Sequence, residues 1–166
     1  SGPSFEQVPN WSHDGQWVYF QSDRSGQWEI WRAPFAGGEA EPVTADGGGD
    51  PFVSKDGTLF YTKTTGDLVA KPPAGGAEQR LTDGVGSRQL AVVDDGIYYW
   101  GRRASAADPF RLLFYDLSSR TSREVARVTT ASTTMGLSVS PDRQSVLFVA
   151  SSGRGGQDLM LIEHFR

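Results

Sequence analysis

One motif recurs along this chain at nearly constant spacing. Ser12-His13-Asp14-Gly15, Ser54-Lys55-Asp56-Gly57, Asp94-Asp95-Gly96 and Ser140-Pro141-Asp142 each introduce a short run of aromatic and β-branched residues. The aspartates Asp14, Asp56, Asp95 and Asp142 are 42, 39 and 47 residues apart. A second apolar run follows each copy: Glu29-Ile30-Trp31, Asp67-Leu68-Val69, Leu112-Leu113-Phe114 and Asp158-Leu159-Met160. Gly37-Gly38 and Gly75-Gly76 then lead into Glu41-Pro42-Val43-Thr44 and Gln79-Arg80-Leu81-Thr82, and Ser118-Ser119-Arg120 precedes Arg123-Glu124-Val125. Each unit reads as strand, Asp-Gly turn, strand, polar loop, strand, turn, strand. Asp-Gly is a strong hairpin signal because a mirror-image turn needs φ > 0 at both central residues.

Four antiparallel strands every ~40–45 residues is the period of a β-propeller blade. A two-sheet sandwich has no reason to repeat its turn chemistry at such a period, and no helical spacing longer than a turn is present. The expected fold is therefore all-β: four consecutive four-stranded antiparallel blades, at about residues 5–44, 45–82, 83–128 and 129–166. The last blade lacks its outer strand, so the segment reads as part of a propeller of six to eight blades. One blade cannot bury both faces of its own sheet, so neighbours must stack on it. Trp17, Tyr19, Phe60 and Tyr98 are expected on one buried face, and Val18, Phe20, Leu59 and Tyr61 on the other. Remaining blades of a parent protein, or a second copy, are the expected cover for the outer faces.

Charge and composition exclude several functions. The net charge is −4 with no basic stripe, so direct nucleic-acid contact is not expected. Cysteine is absent, which removes disulfides and thiolate metal sites and fits cytoplasm or periplasm equally. No apolar run reaches the ~18–20 residues of a membrane span. Only His13 and His164 offer an imidazole base, the first in a turn and the second in the final strand, and no Gly-x-Ser-x-Gly elbow is present. No catalytic residue, cofactor or metal is expected. Asp46-Gly47-Gly48-Gly49-Asp50 and Asp94-Asp95 carry oxygen ligands but not the alternating calcium-loop pattern. Gly153-Arg154-Gly155-Gly156 lacks the spacing of a phosphate loop.

The repeat resembles that of the TolB-type, WD-repeat-like propellers. Pro9-Asn10-Trp11-Ser12-His13-Asp14-Gly15, Ser22-Asp23-Arg24-Ser25-Gly26, Glu29-Ile30-Trp31, Gly37-Gly38 and Val43-Thr44 carry the likeness, with His13 where proline is usual. Blade two keeps Ser54-Lys55-Asp56-Gly57, Gly75-Gly76 and Leu81-Thr82; blade three keeps little beyond Asp95-Gly96; blade four has Arg143 where glycine is expected. The tail Asp158 to Arg166 is similar to the C-terminus of bacterial winged-helix one-component regulators, some of them membrane-anchored, that end in such a propeller. The resemblance implies a non-enzymatic sensory or binding module. A TolB-like periplasmic interaction protein and the gating propeller of a prolyl-oligopeptidase-type peptidase are the alternatives. On the loop rim of such a propeller, Asp23, Arg24, Lys63, Arg102, Arg103 and Arg154, interleaved with Asp46, Asp50 and Asp83, are the candidate contacts for a small ligand or a protein partner.

Overall fold

In the computed structural model, residues 4–73, 75–129, 132–151 and 156–165 are described, apart from the side chains of 87–89 and 132–135. The chain divides into two compact units, 1–83 and 84–166. The first holds β1 (Glu6–Trp11), β2 (Trp17–Ser22), β3 (Glu29–Pro34) and β4 (Glu41–Pro42) as one antiparallel sheet in chain order. Its second sheet is β5 (Gly49–Val53), β6 (Leu59–Thr62), β7 (Leu68–Lys71) and β8 (Gln79–Thr82). The second unit holds β9 (Val85–Val93), β10 (Gly96–Gly101), β11 (Phe110–Asp116) and β12 (Thr121–Val128), then a three-stranded sheet of β13 (Ser132–Val139), β14 (Ser145–Ser151) and β15 (Gln157–Glu163). Each sheet is the up-and-down meander expected of a propeller blade.

The recurring turn works by side-chain chemistry. Ser12 Oγ donates to Asp14 Oδ1 at 2.6 Å, the Gln16 amide donates to the same oxygen at 3.0 Å, and the Trp17 amide donates back to Ser12 Oγ at 2.9 Å. Ser54 with Asp56 and Ser140 with Asp142 repeat the first bond at 2.6 Å. The serine hydroxyl holds all three carboxyls below the usual aspartate range, with the backbone amide adding to it. This corrects the expectation of a mirror-image turn. Only the residue after the aspartate is left-handed, Gly15 at φ 69°, Gly57 at 83° and Arg143 at 58°. The side-chain bonds supply the turn closure that a second positive φ would otherwise give. In the third blade neither Asp94, Asp95 nor Gly96 has positive φ. Gly96 instead opens β10, where a Cβ would collide with the Phe114 ring and the Tyr115 carbonyl.

Strand alternation puts the cores where blades meet. In unit 1, Tyr19 and Ile30 pack with Leu59, Tyr61 and Val69, with Trp17 partly buried beside them. In unit 2, Tyr98, Trp100, Phe110, Leu112 and Phe114 pack against Leu137, Val146, Phe148 and Ala150. Of the residues expected to be buried, Tyr19, Leu59, Phe60, Tyr61 and Tyr98 are. Trp17, Val18 and Phe20 are only half-buried, and guanidinium groups cover part of the two aromatic rings. Arg32 lies 4.2 Å from the Trp17 centroid and Arg24 5.3 Å from that of Phe20. In the last sheet, Leu147 faces Leu161 and Val149 faces Leu159 across β14 and β15. This face is open: Leu147, Leu159 and Leu161 are 38%, 67% and 53% exposed.

Candidate functional site

The loop-side charges singled out from sequence are mostly built into their own blades. Asp23 Oδ1 accepts from the Phe5 amide at 2.8 Å. Arg24 Nη2 pairs with Glu6 at 2.8 Å, its Nε donates to Ser22 Oγ at 3.2 Å, and its plane covers Trp31 at 4.9 Å. Lys63 Nζ reaches Glu78 at 3.0 Å and the Asp46 carbonyl at 3.3 Å. Asp83 pairs with Arg80 at 2.9 Å. In unit 2, Arg103 stacks 3.9 Å from the Phe110 centroid and donates to the Ala106 and Asp108 carbonyls. Neighbouring Arg102 is exposed, its amide bonded to the Gly84 carbonyl. Arg154 lies outside the described residues. Of these residues the structure brings Lys63 beside the Asp46 carbonyl, while Asp23, Arg24 and Arg103 bond within their own blades.

Sequence reasoning missed the buried carboxylate that organises the Gly-rich connection. Glu29, 2% exposed, accepts from the Thr44 hydroxyl, from the Gly47 amide at 2.9 Å and from Gln27 Nε2 at 2.6 Å. The chain at Asp46-Gly47-Gly48-Gly49-Asp50 wraps this carboxylate, and a Cβ on Gly48 would press on Ile30 and Thr44 at 3.1 Å. Asp50 is buried at φ 53° and accepts from Thr62 Oγ1 at 2.9 Å. Glu29 precedes Ile30-Trp31 in the repeat, and that position was the available signal. Among the described residues no group of three or more acidic, His or Cys side chains is arranged to hold a metal. His13 and His164 are both exposed, His164 just beyond β15 rather than within it.

Each unit has an open, polar concavity on its turn side. In unit 1 a cleft of about 300 Å³ opens between the first two sheets, lined by Tyr19, Arg32, Pro42, Leu59, Lys71 and Pro73 among others. Arg32 Nε donates to Glu41 at 2.7 Å and its Nη1 reaches the Tyr19 hydroxyl at 3.5 Å. Partial burial works against the Arg32 charge, but Tyr19 and Glu41 outweigh it and hold the group above its ordinary pKa. From the facing sheet, Lys71 Nζ donates to the Val43 carbonyl at 2.6 Å.

Unit 2 has a cleft of about 310 Å³ lined by Asp95, Tyr98, Phe114, Arg123, Arg143 and Phe165, with Asp116 at its edge. The two clefts occupy the same place in the repeat. Tyr19 pairs with Arg32, and Arg32 with Glu41; correspondingly, Tyr98 pairs with Phe114, and Phe114 with Arg123. Gly57 and Arg143 are the matching turn residues. Unit 2 replaces the arginine–glutamate pair by Phe114 under Arg123, 5.3 Å from ring centroid to guanidinium carbon, and adds the Arg143–Asp95 pair at 2.7 Å. Tyrosine hydroxyls and guanidiniums beside apolar rings are recognition chemistry, since arginine keeps its charge and offers only donors.

No family model matches the chain. Over 58 residues it is 46% identical to the uncharacterized protein Atu1656 of Agrobacterium fabrum, a stretch covering 32% of this chain and 20% of that protein. Among solved structures, TolB from Acinetobacter baumannii superposes with a TM-score of 0.77 at 15% identity, over 98% of this chain and 41% of that one. A puromycin-hydrolyzing peptidase of Mycobacterium tuberculosis gives 0.69 at 12% identity, over 96% and 28%. Oligogalacturonate lyase from Vibrio parahaemolyticus gives 0.61 at 15% identity, over 86% and 44%. The chain thus spans less than half the length of each of these proteins. The likeness is one of fold, and the fold is a TolB-like β-propeller. Proteins this different on one architecture leave function to the site.

Proposed function

We propose that this chain is a non-catalytic recognition module, part of a larger propeller, serving as the C-terminal sensory portion of a bacterial one-component regulator. The observation that carries the recognition reading is the pair of matching interblade clefts. Each offers permanent cations and a tyrosine on a scaffold whose strands are fixed by their neighbours, so a ligand or partner loop meets donors already in place. The regulator assignment is supported by the tail at Asp158 to Arg166 and requires an effector domain elsewhere in the parent protein. Binding at the module would then bias that domain through its differential affinity for two states.

The superposition on TolB and on a peptidase favours two other readings, a periplasmic interaction protein and a peptidase gate. The reading frame encoding this chain, followed beyond Ser1 and Arg166, separates the three. A winged helix upstream is the expected result. A signal peptide followed by a small α/β domain upstream, or a hydrolase domain downstream, overturns the regulator assignment.

A further inference from the structure

The unit 1 cleft carries a charge imbalance. Its walls bring together two cations, Arg32 from β3 and Lys71 from β7, and Arg32 is bonded to the neighbouring carboxylate Glu41. The Lys71 ammonium donates to the Val43 carbonyl and keeps two further N–H groups, and its charge also acts on Glu78, the carboxylate that Lys63 already holds at 3.0 Å. In a chain of net charge −4 this leaves one local positive charge facing a cavity. The matching cleft of unit 2 differs, because there Arg143 is answered by Asp95.

The same contacts narrow the class of anion. A guanidinium fork meets phosphate through two parallel bonds, whereas lysine meets an anion as a point charge. Here Arg32 already gives Nε and Nη2 to Glu41 and points Nη1 at Tyr19. What stays open is the Lys71 point charge, bordered by Pro72, Pro73 and Leu59. That is one charged contact beside apolar wall.

We propose that this cleft binds a small organic carboxylate with a compact apolar body, its oxygen taken by Lys71 and its carbon skeleton set against Pro72, Pro73 and Leu59. The proposal rests on the recognition reading above and names the ligand class for one of its two clefts. The Arg32–Glu41 pair sets the strength of the field: Glu41 offsets the second cation and keeps the site selective for a single negative charge.

The test is an amide-shift titration of the full chain with isobutyrate, using neutral isobutyramide and inorganic phosphate as comparisons. Expected are saturable shifts at Gly57, Leu59 and Val43 with isobutyrate and none with isobutyramide. Lys71→Met weakens binding about tenfold while Lys71→Arg stays within about threefold, as loss of one charge-assisted hydrogen bond predicts. Glu41→Gln, at an exposed position, strengthens binding. Absence of saturation with isobutyrate, an unchanged affinity in folded Lys71→Met, or tighter binding of phosphate than of isobutyrate overturns the assignment. If Lys71→Met does not fold, Glu41→Gln decides, and unchanged affinity there overturns it too. These failures are read separately from a failure of the regulator assignment, which the encoded neighbouring domains alone decide.

Discussion

Arg143 and Asp95 clasp two turns of unit 2, guanidinium Nη1 to carboxylate Oδ2 at 2.7 Å, and Arg143 does so from a left-handed backbone at φ 58°. Its counterparts in the other Ser-x-Asp turns are Gly15 and Gly57, which take that conformation without a Cβ penalty. A half-exposed ion pair contributes ~0–1 kcal/mol, and a left-handed non-glycine residue costs ~1–2 kcal/mol. The two nearly offset.

Arg143→Gly is therefore expected to leave stability unchanged or raise it by up to about 1 kcal/mol. Arg143→Val, β-branched in the same conformation and without the ion pair, is expected to lower it. Urea midpoints of the three proteins check the order, and a valine variant as stable as the parent would show that the turn carries no strain.

Glu29 tests the buried carboxylate. Glu29→Ala strands the Thr44 hydroxyl and the Gly47 amide inside unit 1 and is expected to cost about 3 kcal/mol. Glu29→Gln keeps one carbonyl acceptor and costs less, because the Thr44 hydroxyl can turn to accept from the new amide. Equal losses from both variants in equilibrium unfolding would mean that the charge, and not the acceptor geometry, holds the connection.

Acid sensitivity follows from Asp116. Its Oδ1 accepts from the Ser118 hydroxyl at 2.6 Å and from the Ser118 and Ser119 amides at 2.9 and 2.8 Å. These donors lower its pKa from 3.8 to about 2. A carboxyl depressed by folding stabilises the fold above its unfolded pKa, and that contribution is lost as pH falls through the folded value. Asp14, Asp56 and Asp142 shift in the same direction. Melting temperature should hold steady above pH ~4 and fall between pH ~4 and ~2, and less steeply in Asp116→Asn. A parallel decline in parent and variant would remove Asp116 from the account.

The open leucine face of the last sheet, beside its edge strand β15, predicts self-association. The sedimentation-average mass should rise with concentration. Leu147→Glu combined with Leu161→Glu should reduce that rise and leave the core of Val146 and Phe148 intact, since those side chains point to the other face. A parent chain that stays monomeric at high concentration removes the prediction.

The repeat was readable because its punctuation is local. A serine and an aspartate two residues later close their own turn, so Ser12 with Asp14 needs no distant partner to declare itself. Tyr19 and Tyr98 could be placed on buried faces because strand alternation fixes parity once the turn is located. The rim arginines could not be read in this way. Arg24 is consumed by Glu6, eighteen residues away, and Lys63 by Glu78, and no local pattern announces such partners. Glu29 looks like an ordinary polar residue at a strand start, and only the wrapping of the glycine-rich connection shows it to be enclosed.

The sequence by itself determined the fold class, the blade period and the chemistry of the turns, since these depend on contacts spanning a few residues and on a two-residue alternation. Tertiary structure alone decided which charges stay available. Tyr19, Arg32 and Lys71 meet because neighbouring sheets stack face to face, and a long side chain's partner is set by that stacking and not by its neighbours in the chain.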